Sequence, residues 1–238
     1  NGSTILLTDA NGPYVINGND GIDIITGGSA NDTILGGNSG DTLHGGLGDD
    51  NINGELGNDV IDGGDGDDVI NGGDGDDIID SRQGNDQLTG GAGNDTFNIT
   101  GGTSGITDLV TGDVFVVSAD AIVNATNISN FIATSFTINV GTANLSSASS
   151  GSTITMTNSN LGSYNISGNN GVDNLTGGSG NDVIDGGESD DVIDGGGGND
   201  QLTGGAENDR FNITSGTDTI LDLVTGDIFV VSVGATVN

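Results

Sequence analysis

A nine-residue period runs through more than half of this chain and leaves few ways for it to fold. From Gly18 the sequence breaks into nine consecutive nonapeptides ending at Asn98, and five more run from Gly168 to Asn212. The clearest are Gly63-Gly-Asp-Gly-Asp-Asp-Val-Ile-Asn71 and Gly72-Gly-Asp-Gly-Asp-Asp-Ile-Ile-Asp80. The sixth position is Asp in all fourteen: Asp23, Asp32, Asp41, Asp50, Asp59, Asp68, Asp77, Asp86, Asp95, Asp173, Asp182, Asp191, Asp200 and Asp209. The eighth is Ile, Leu or Phe throughout, from Ile25 to Phe97 and from Leu175 to Phe211. One large apolar residue in nine is too sparse for the stripe of an amphipathic helix. A three-residue strand centred on position eight would turn that side chain inward and its neighbours outward. The six preceding residues, rich in glycine, would turn the chain, because glycine adopts positive φ at little cost. Two nonapeptides then close one coil with a strand on each side. Coils stacked at the usual strand spacing of about 4.8 Å give the first block roughly 22 Å of solenoid.

Composition agrees with a thin core. The chain has 47 glycines, six phenylalanines, two tyrosines and no tryptophan, too few large apolar side chains for a thick globular interior. Thirty-five acidic residues face two basic ones, Arg82 and Arg210, for a formal charge of -33. The compact state must therefore tolerate severe self-repulsion or import cations. Nucleic acid and anionic membrane surfaces are excluded as direct partners, since both require Lys/Arg faces. The absence of cysteine excludes a disulfide scaffold and any thiolate metal site. No stretch approaches the roughly 18 apolar residues of a membrane span, so no membrane insertion is expected. The start, Asn1-Gly-Ser-Thr-Ile, lacks both a Met and a basic segment, so the reading expects another export signal or an internal piece of a longer chain.

The period resembles the RTX, or hemolysin-type, calcium-binding repeat, Gly-Gly-x-Gly-x-Asp-x-U-x, in which U is a large apolar residue. The resemblance covers 126 of 238 residues. It implies an all-β fold: a parallel β-roll, or β-solenoid, with two calcium-binding blocks joined by β-coils. It also implies that each Ca²⁺ sits between the glycine-rich turns of neighbouring coils on one side, held by turn carbonyls and the Asp carboxylates. Turns on one side are eighteen residues apart, so the implied pairs are Asp23 with Asp41, Asp32 with Asp50, Asp41 with Asp59, Asp50 with Asp68, Asp59 with Asp77, Asp68 with Asp86, Asp77 with Asp95, Asp173 with Asp191, Asp182 with Asp200, and Asp191 with Asp209. That makes about ten Ca²⁺ sites.

Calcium suits such a donor set, because it takes six to eight oxygens in forgiving geometry, whereas Mg²⁺ demands tight octahedra and Zn²⁺ favours His or Cys. Asp also favours turns for local reasons. One residue type at one position in fourteen repeats out of fourteen exceeds such a preference. With so thin a core, metal binding is expected to supply folding free energy. Departures grade the sites. Position four carries Ala30, Ser39, Ser189 and Glu207 in place of glycine, and Arg210 is expected to compensate Glu207. The repeat opening Ser81-Arg82-Gln83 lacks both leading glycines. Sites between Gly54 and Asp80 read as strongest, the first repeat and the last of the second block as weakest.

The remainder is a duplicated module. Asn94–Thr100 corresponds to Asn208–Thr214, and Asp108–Ser118 to Asp222–Ser232, both at an offset of 114. The Gly-Asp turn followed by Val/Ile/Phe reads as a closing strand. Asp108, Asp113, Asp222 and Asp227 are turn residues on this reading, with a ligand role as the alternative. In 125–167, Phe136, Ile138 and Val140 alternate, as do Ile154 and Met156, so calcium-free β-coils wider than the nonapeptide coils are expected there. Gly2-Ser-Thr-Ile matches Gly151-Ser-Thr-Ile, and Tyr14–Gly18 matches Tyr164–Gly168. The organisation read from these matches is an opening coil over 1–17, a first β-roll block over 18–98, a closing β segment over 99–124, a Ser/Thr/Asn-rich β linker over 125–167, a second block over 168–212 and a second closing segment over 213–238.

Catalytic signatures are missing. The single histidine, His44, stands at position nine, an outward place, and no His-Glu-x-x-His or Gly-x-Ser-x-Gly motif occurs. Paired carboxylates could serve acid–base chemistry, yet their fixed spacing in a glycine-rich setting favours metal ligation. Glycine loops carrying acids and no lysine repel phosphate. The reading is therefore not an enzyme but a secreted, calcium-binding structural or adhesive module of a bacterial cell surface, a part of a surface layer, adhesin stalk or filament. Its expected partners are calcium ions and copies of itself end to end. The alternative is a secretion-and-folding segment of a larger secreted enzyme or toxin; duplication of the block favours the first.

Overall fold

In a computed structural model, residues 2–7, 12–157, 159 and 162–238 are described, so Asn1 and parts of the 1–17 and 125–167 segments lie outside the described residues. All regular structure among them is strand, and no helix is present that could cross a membrane. Two units can be distinguished, one comprising the chain to Asp108 with Asp113–Val123, the other Leu109–Gly112 with Asn124–Asn238.

Each unit is a parallel β-roll. In the first, Ile24–Gly28, Thr42–Leu47, Val60–Asp65, Ile78–Asp80, Thr96–Ile99 and Val114–Val117 form one sheet, with Thr4–Leu6 at its edge. Val15–Asp20, Thr33–Asn38, Asn51–Leu56, Val69–Asp74, Asn85–Ala92 and Thr103–Ile106 form the other. Register follows the period. Ile25, Leu43, Ile61, Ile79, Phe97 and Phe115 stand opposite one another in one buried column. Ile16, Ile34, Ile52, Ile70, Leu88 and Ile106 form the second. In the second unit, Phe131, Ile154, Leu175, Ile193, Phe211 and Phe229 make one column, and Leu145, Ile166, Ile184, Leu202 and Ile220 the other.

The strands are longer than three residues in most nonapeptides. Thr33–Asn38 includes the glycine pair of the next repeat, and Gly37 and Asn38 stand in register with Glu55 and Leu56. The leading glycines thus extend the ladder, and the second of them also bends the chain: Gly28, Gly37, Gly46, Gly64 and Gly73 hold φ between 106° and 136°. Position one is the next inward place after position eight on a pleated strand, which is why it must be small. The turn itself occupies positions four to six. Ser39, Ser189 and Glu207, three of the four position-four departures, hold φ values of 88°, 87° and 81° there, a left-handed conformation that glycine adopts without strain.

Coils in 125–167 are wider, as their lack of a nonapeptide period requires: Phe131 pairs with Ile154 and Leu145 with Ile166, steps of 23 and 21 residues. Ile154 and Met156 are buried. The alternation at Phe136, Ile138 and Val140 does mark a strand, Ile138–Asn139, but the face turned inward is the opposite one. Thr137 and Asn139 are buried, whereas Phe136 is 72 % and Val140 59 % exposed. A turn closed by the Thr137 amide donating to the Thr134 carbonyl at 3.1 Å fixes that phase.

Candidate metal centres

The fourteen position-six aspartates are all buried, none more than 3 % exposed. Each carboxylate is placed by the turn of its own repeat and reaches back to the preceding coil on the same side. The Asp41 carboxylate accepts the amide N–H of Asp23 at 2.8 Å, Asp59 that of Asp41 at 2.6 Å, and Asp77 that of Asp59 at 2.7 Å. The same bond joins Asp32 to Asp50, Asp50 to Asp68, Asp68 to Asp86, Asp77 to Asp95, Asp173 to Asp191, Asp182 to Asp200 and Asp191 to Asp209. All ten pairs expected from the repeat spacing are therefore in direct contact.

That bond occupies only Oδ1. In eleven of the fourteen, Asp86, Asp95 and Asp182 being the exceptions, Oδ2 is buried without a hydrogen-bond partner. An orphaned carboxylate oxygen away from water is costly unless it is protonated or faces a cation. Protonation becomes easier at several of them in the bare fold. Burial, partly offset by the amide bond and reinforced by the neighbouring carboxylate, raises Asp59 and Asp77 to about 6 and Asp68 and Asp191 to about 7.

Beside each orphaned oxygen the position-one residue must be glycine, because a Cβ there would collide with the carboxylate. A methyl group on Gly36 would stand 2.7 Å from both Asp41 Oδ2 and the Gly54 carbonyl oxygen; on Gly27 it would stand 2.6 Å from Asp32 Oδ2 and from the Gly45 carbonyl oxygen. Side-chain and main-chain oxygens of successive coils thus converge at position one. Among the described residues no three His, Cys, Asp or Glu side chains cluster, so backbone carbonyls would supply much of any coordination shell here. Hard oxygen donors of mixed kind suit Ca²⁺.

Several residues fall outside the sequence-derived set. Position five is Asn or Asp in eleven repeats, and its side chain reaches forward, opposite to position six: Asp67 donates its amide to Asp49 Oδ1 at 3.0 Å, and Asn85 to Asp67 Oδ1 at 2.8 Å. Asp113, Asp218 and Asp227 continue the position-six ladder beyond the nonapeptides, accepting the amides of Asp95, Asp200 and Asp209 at 2.9, 3.0 and 3.0 Å. Asp108 and Asp222 instead take the paired amides of Gly90–Gly91 and Gly204–Gly205. His44 lies on the outer face, 3.5 Å from Asp62, which Arg82 grips with two bonds of 2.6 and 2.5 Å. Arg210 does not reach Glu207. At position seven it shares the outward pleat with Asn212, two residues on, and bonds that side chain at 3.1 Å.

The sequence model of the RTX calcium-binding nonapeptide repeat matches residues 15–43, 35–70, 44–79, 62–97, 167–202 and 190–220. No curated protein matches the chain. With more than half of its length covered by these matches and the repeats folded as stacked parallel coils, the chain belongs to the RTX calcium-binding nonapeptide repeat family.

Proposed function

We propose that this protein is an extracellular structural or adhesive module of a bacterial surface whose β-roll folds around calcium held by the position-six aspartates. The observation that carries this reading is the set of eleven buried, unpartnered Oδ2 atoms, eight of which share a position-one glycine with a carbonyl of the next coil. Bound Ca²⁺ supplies positive charge that satisfies these oxygens and offsets repulsion along the acid columns. The chain's residues do the rest. Oδ1 fixes each carboxylate by its amide bond, the glycine keeps the space open, and the position-eight column excludes water. Ten ions would bring the formal charge from -33 to about -13. Two calcium-binding blocks support a structural role over a secretion tag, which needs one.

End-to-end association belongs to the same proposal. Phe115 is fully buried, while its counterpart Phe229, in the strand Ile228–Val231, is 50 % exposed, an apolar face that a further coil, of the same chain or of a second copy, would cover. Circular dichroism of metal-stripped protein, with and without calcium, tests the folding claim: strand signal at pH 7 is expected only with calcium. An unchanged strand spectrum in the absence of all metal overturns it. Light scattering is expected to show calcium-dependent particles that chelator dissolves; a strict monomer at high concentration in calcium overturns the association.

A further inference from the structure

The offset of 114 residues aligns the end of the first block with the end of the second, and at one carboxylate the two differ in both of its neighbours. Around Asp86 stand Ser81, at position one, and Ser104 on the following coil; around Asp200 the corresponding residues are Gly195 and Asp218. Ser81 and Ser104 are fully buried, and Ser104 Oγ lies 3.0 Å from Ser81 Oγ and 3.3 Å from Asp86 Oδ2. Hydroxyls therefore fill the space that glycine leaves open in other repeats, and Asp86 Oδ2 is partnered where most of its equivalents are orphaned. At the second place no hydroxyl intervenes. Asp218 is buried, its Oδ1 accepts the Asp200 amide at 3.0 Å, and the Oδ2 atoms of both Asp200 and Asp218 have no hydrogen-bond partner.

We infer that Asp200 and Asp218 hold a calcium ion additional to those between nonapeptides, and that Ser81 and Ser104 replace the equivalent ion in the first block with a neutral hydroxyl plug. The inference rests on the proposed calcium-dependent fold. Two buried carboxylates whose Oδ2 atoms meet no N–H or O–H of the fold must share a proton or take up a cation, and a calcium ion neutralises both at once, whereas one carboxylate bonded to a hydroxyl is already satisfied. The double exchange is self-consistent: serine at position one would crowd the ion, and glycine there without a second aspartate would leave a hole.

Native mass spectrometry of the full chain in saturating calcium counts bound ions directly, with circular dichroism confirming the fold of each variant. Asp218→Ser is expected to bind one ion fewer than the wild type, and Asp218→Asn likewise. The double variant Ser81→Gly/Ser104→Asp is expected to bind one more, and Ser104→Ala to leave the count unchanged. An unchanged count in Asp218→Ser and Asp218→Asn, or in the double variant, overturns the inference while leaving calcium-dependent folding intact. A wild-type chain that binds no ions would overturn both together.

Discussion

The nonapeptide coils and the wider coils of 125–167 stack parallel strands alike but have opposite chemistry at their turns. In both, parallel strands stack a column of Ile, Leu or Phe inside, with Ile52 and Ile61 in the one and Leu145 and Ile154 in the other. The nonapeptide turns bury a carboxylate in every repeat. Residues 121–172 contain no charged side chain at all; their buried polar groups are neutral, with Asn139 Nδ2 donating to the Ser163 carbonyl at 2.7 Å and Ser159 Oγ to the Met156 carbonyl at 2.6 Å. An outer ladder of Asn124, Asn144 and Asn165 adds amide bonds of 2.7 Å each. Stacking parallel coils therefore does not require acids. Where the acids are present they are a cost to the bare fold, a cost that the proposed cations would offset.

Removing calcium should separate the two kinds of coil most widely. Hydrogen exchange after chelation at pH 7 is expected to show complete loss of protection at Ile61, Ile70 and Ile193, ahead of loss at Leu145 and Ile154. Simultaneous loss in both regions would break the comparison by making calcium a global rather than a local support.

Acid should partly substitute for calcium in the nonapeptide coils alone. The folded-state carboxyls are raised from 3.8 to about 6 at Asp59 and Asp77 and to about 7 at Asp68, Asp191 and Asp200. A raised acid binds more protons folded than unfolded, so stability without metal increases as pH falls from about 7 towards 4 and is lost as pH rises through the folded values. Metal-stripped protein is thus expected to gain strand signal at pH 4.5 relative to pH 7.5. Exchange protection gained equally in 121–172, which has no carboxyl or imidazole to titrate, would count against this account.

Core truncation should not distinguish the regions. Ile61→Ala and Leu145→Ala, in calcium, should each cost about 2–5 kcal/mol in denaturant unfolding, since both empty a similar buried site. At the turns the difference returns on a smaller scale. Asp59→Ala leaves the buried Asp41 amide unpaired, a loss of about 1–3 kcal/mol apart from any ion, whereas Asp62→Ala breaks only outer-face contacts with Arg82 and His44, about 0–1 kcal/mol. Calorimetric calcium titration of both variants checks this; equal losses would mean that total charge, not site geometry, governs folding.

What could be read in the sequence is what repeats. Position eight and position six each carry one residue class in every nonapeptide, so the buried columns, their eighteen-residue register and the carboxylate pairs follow from counting. The glycine pair was legible as special but not as strand, because its inward role depends on the carboxylate packed against it, as at Gly36 and Asp41. Position five was visible as a run of Asn and Asp, though its forward direction depends on turn geometry. Asp218 lies outside the nonapeptides, and only carrying the eighteen-residue step past Asp200 reveals it. Phe136 and Arg210 show the opposite limit: a single turn phase or a pleat decides them, and no repeat reports on either.

The direction of the position-six bonds has a consequence for how the roll grows. The amide of every position-six Asp but Asp86 is satisfied by a carboxylate eighteen residues later in the chain, as at Asp23 and Asp41. A coil is therefore finished not by its own residues but by the arrival of the next. During growth from the amino-terminal side, completion trails addition by one full coil, and the newest turn always carries an amide awaiting its acceptor. That lag makes addition of each coil the event that secures the one before it. Growth should accordingly proceed as a front moving in one direction, with its slowest advance where Ser39, Ser189 or Glu207 must be forced into a left-handed turn.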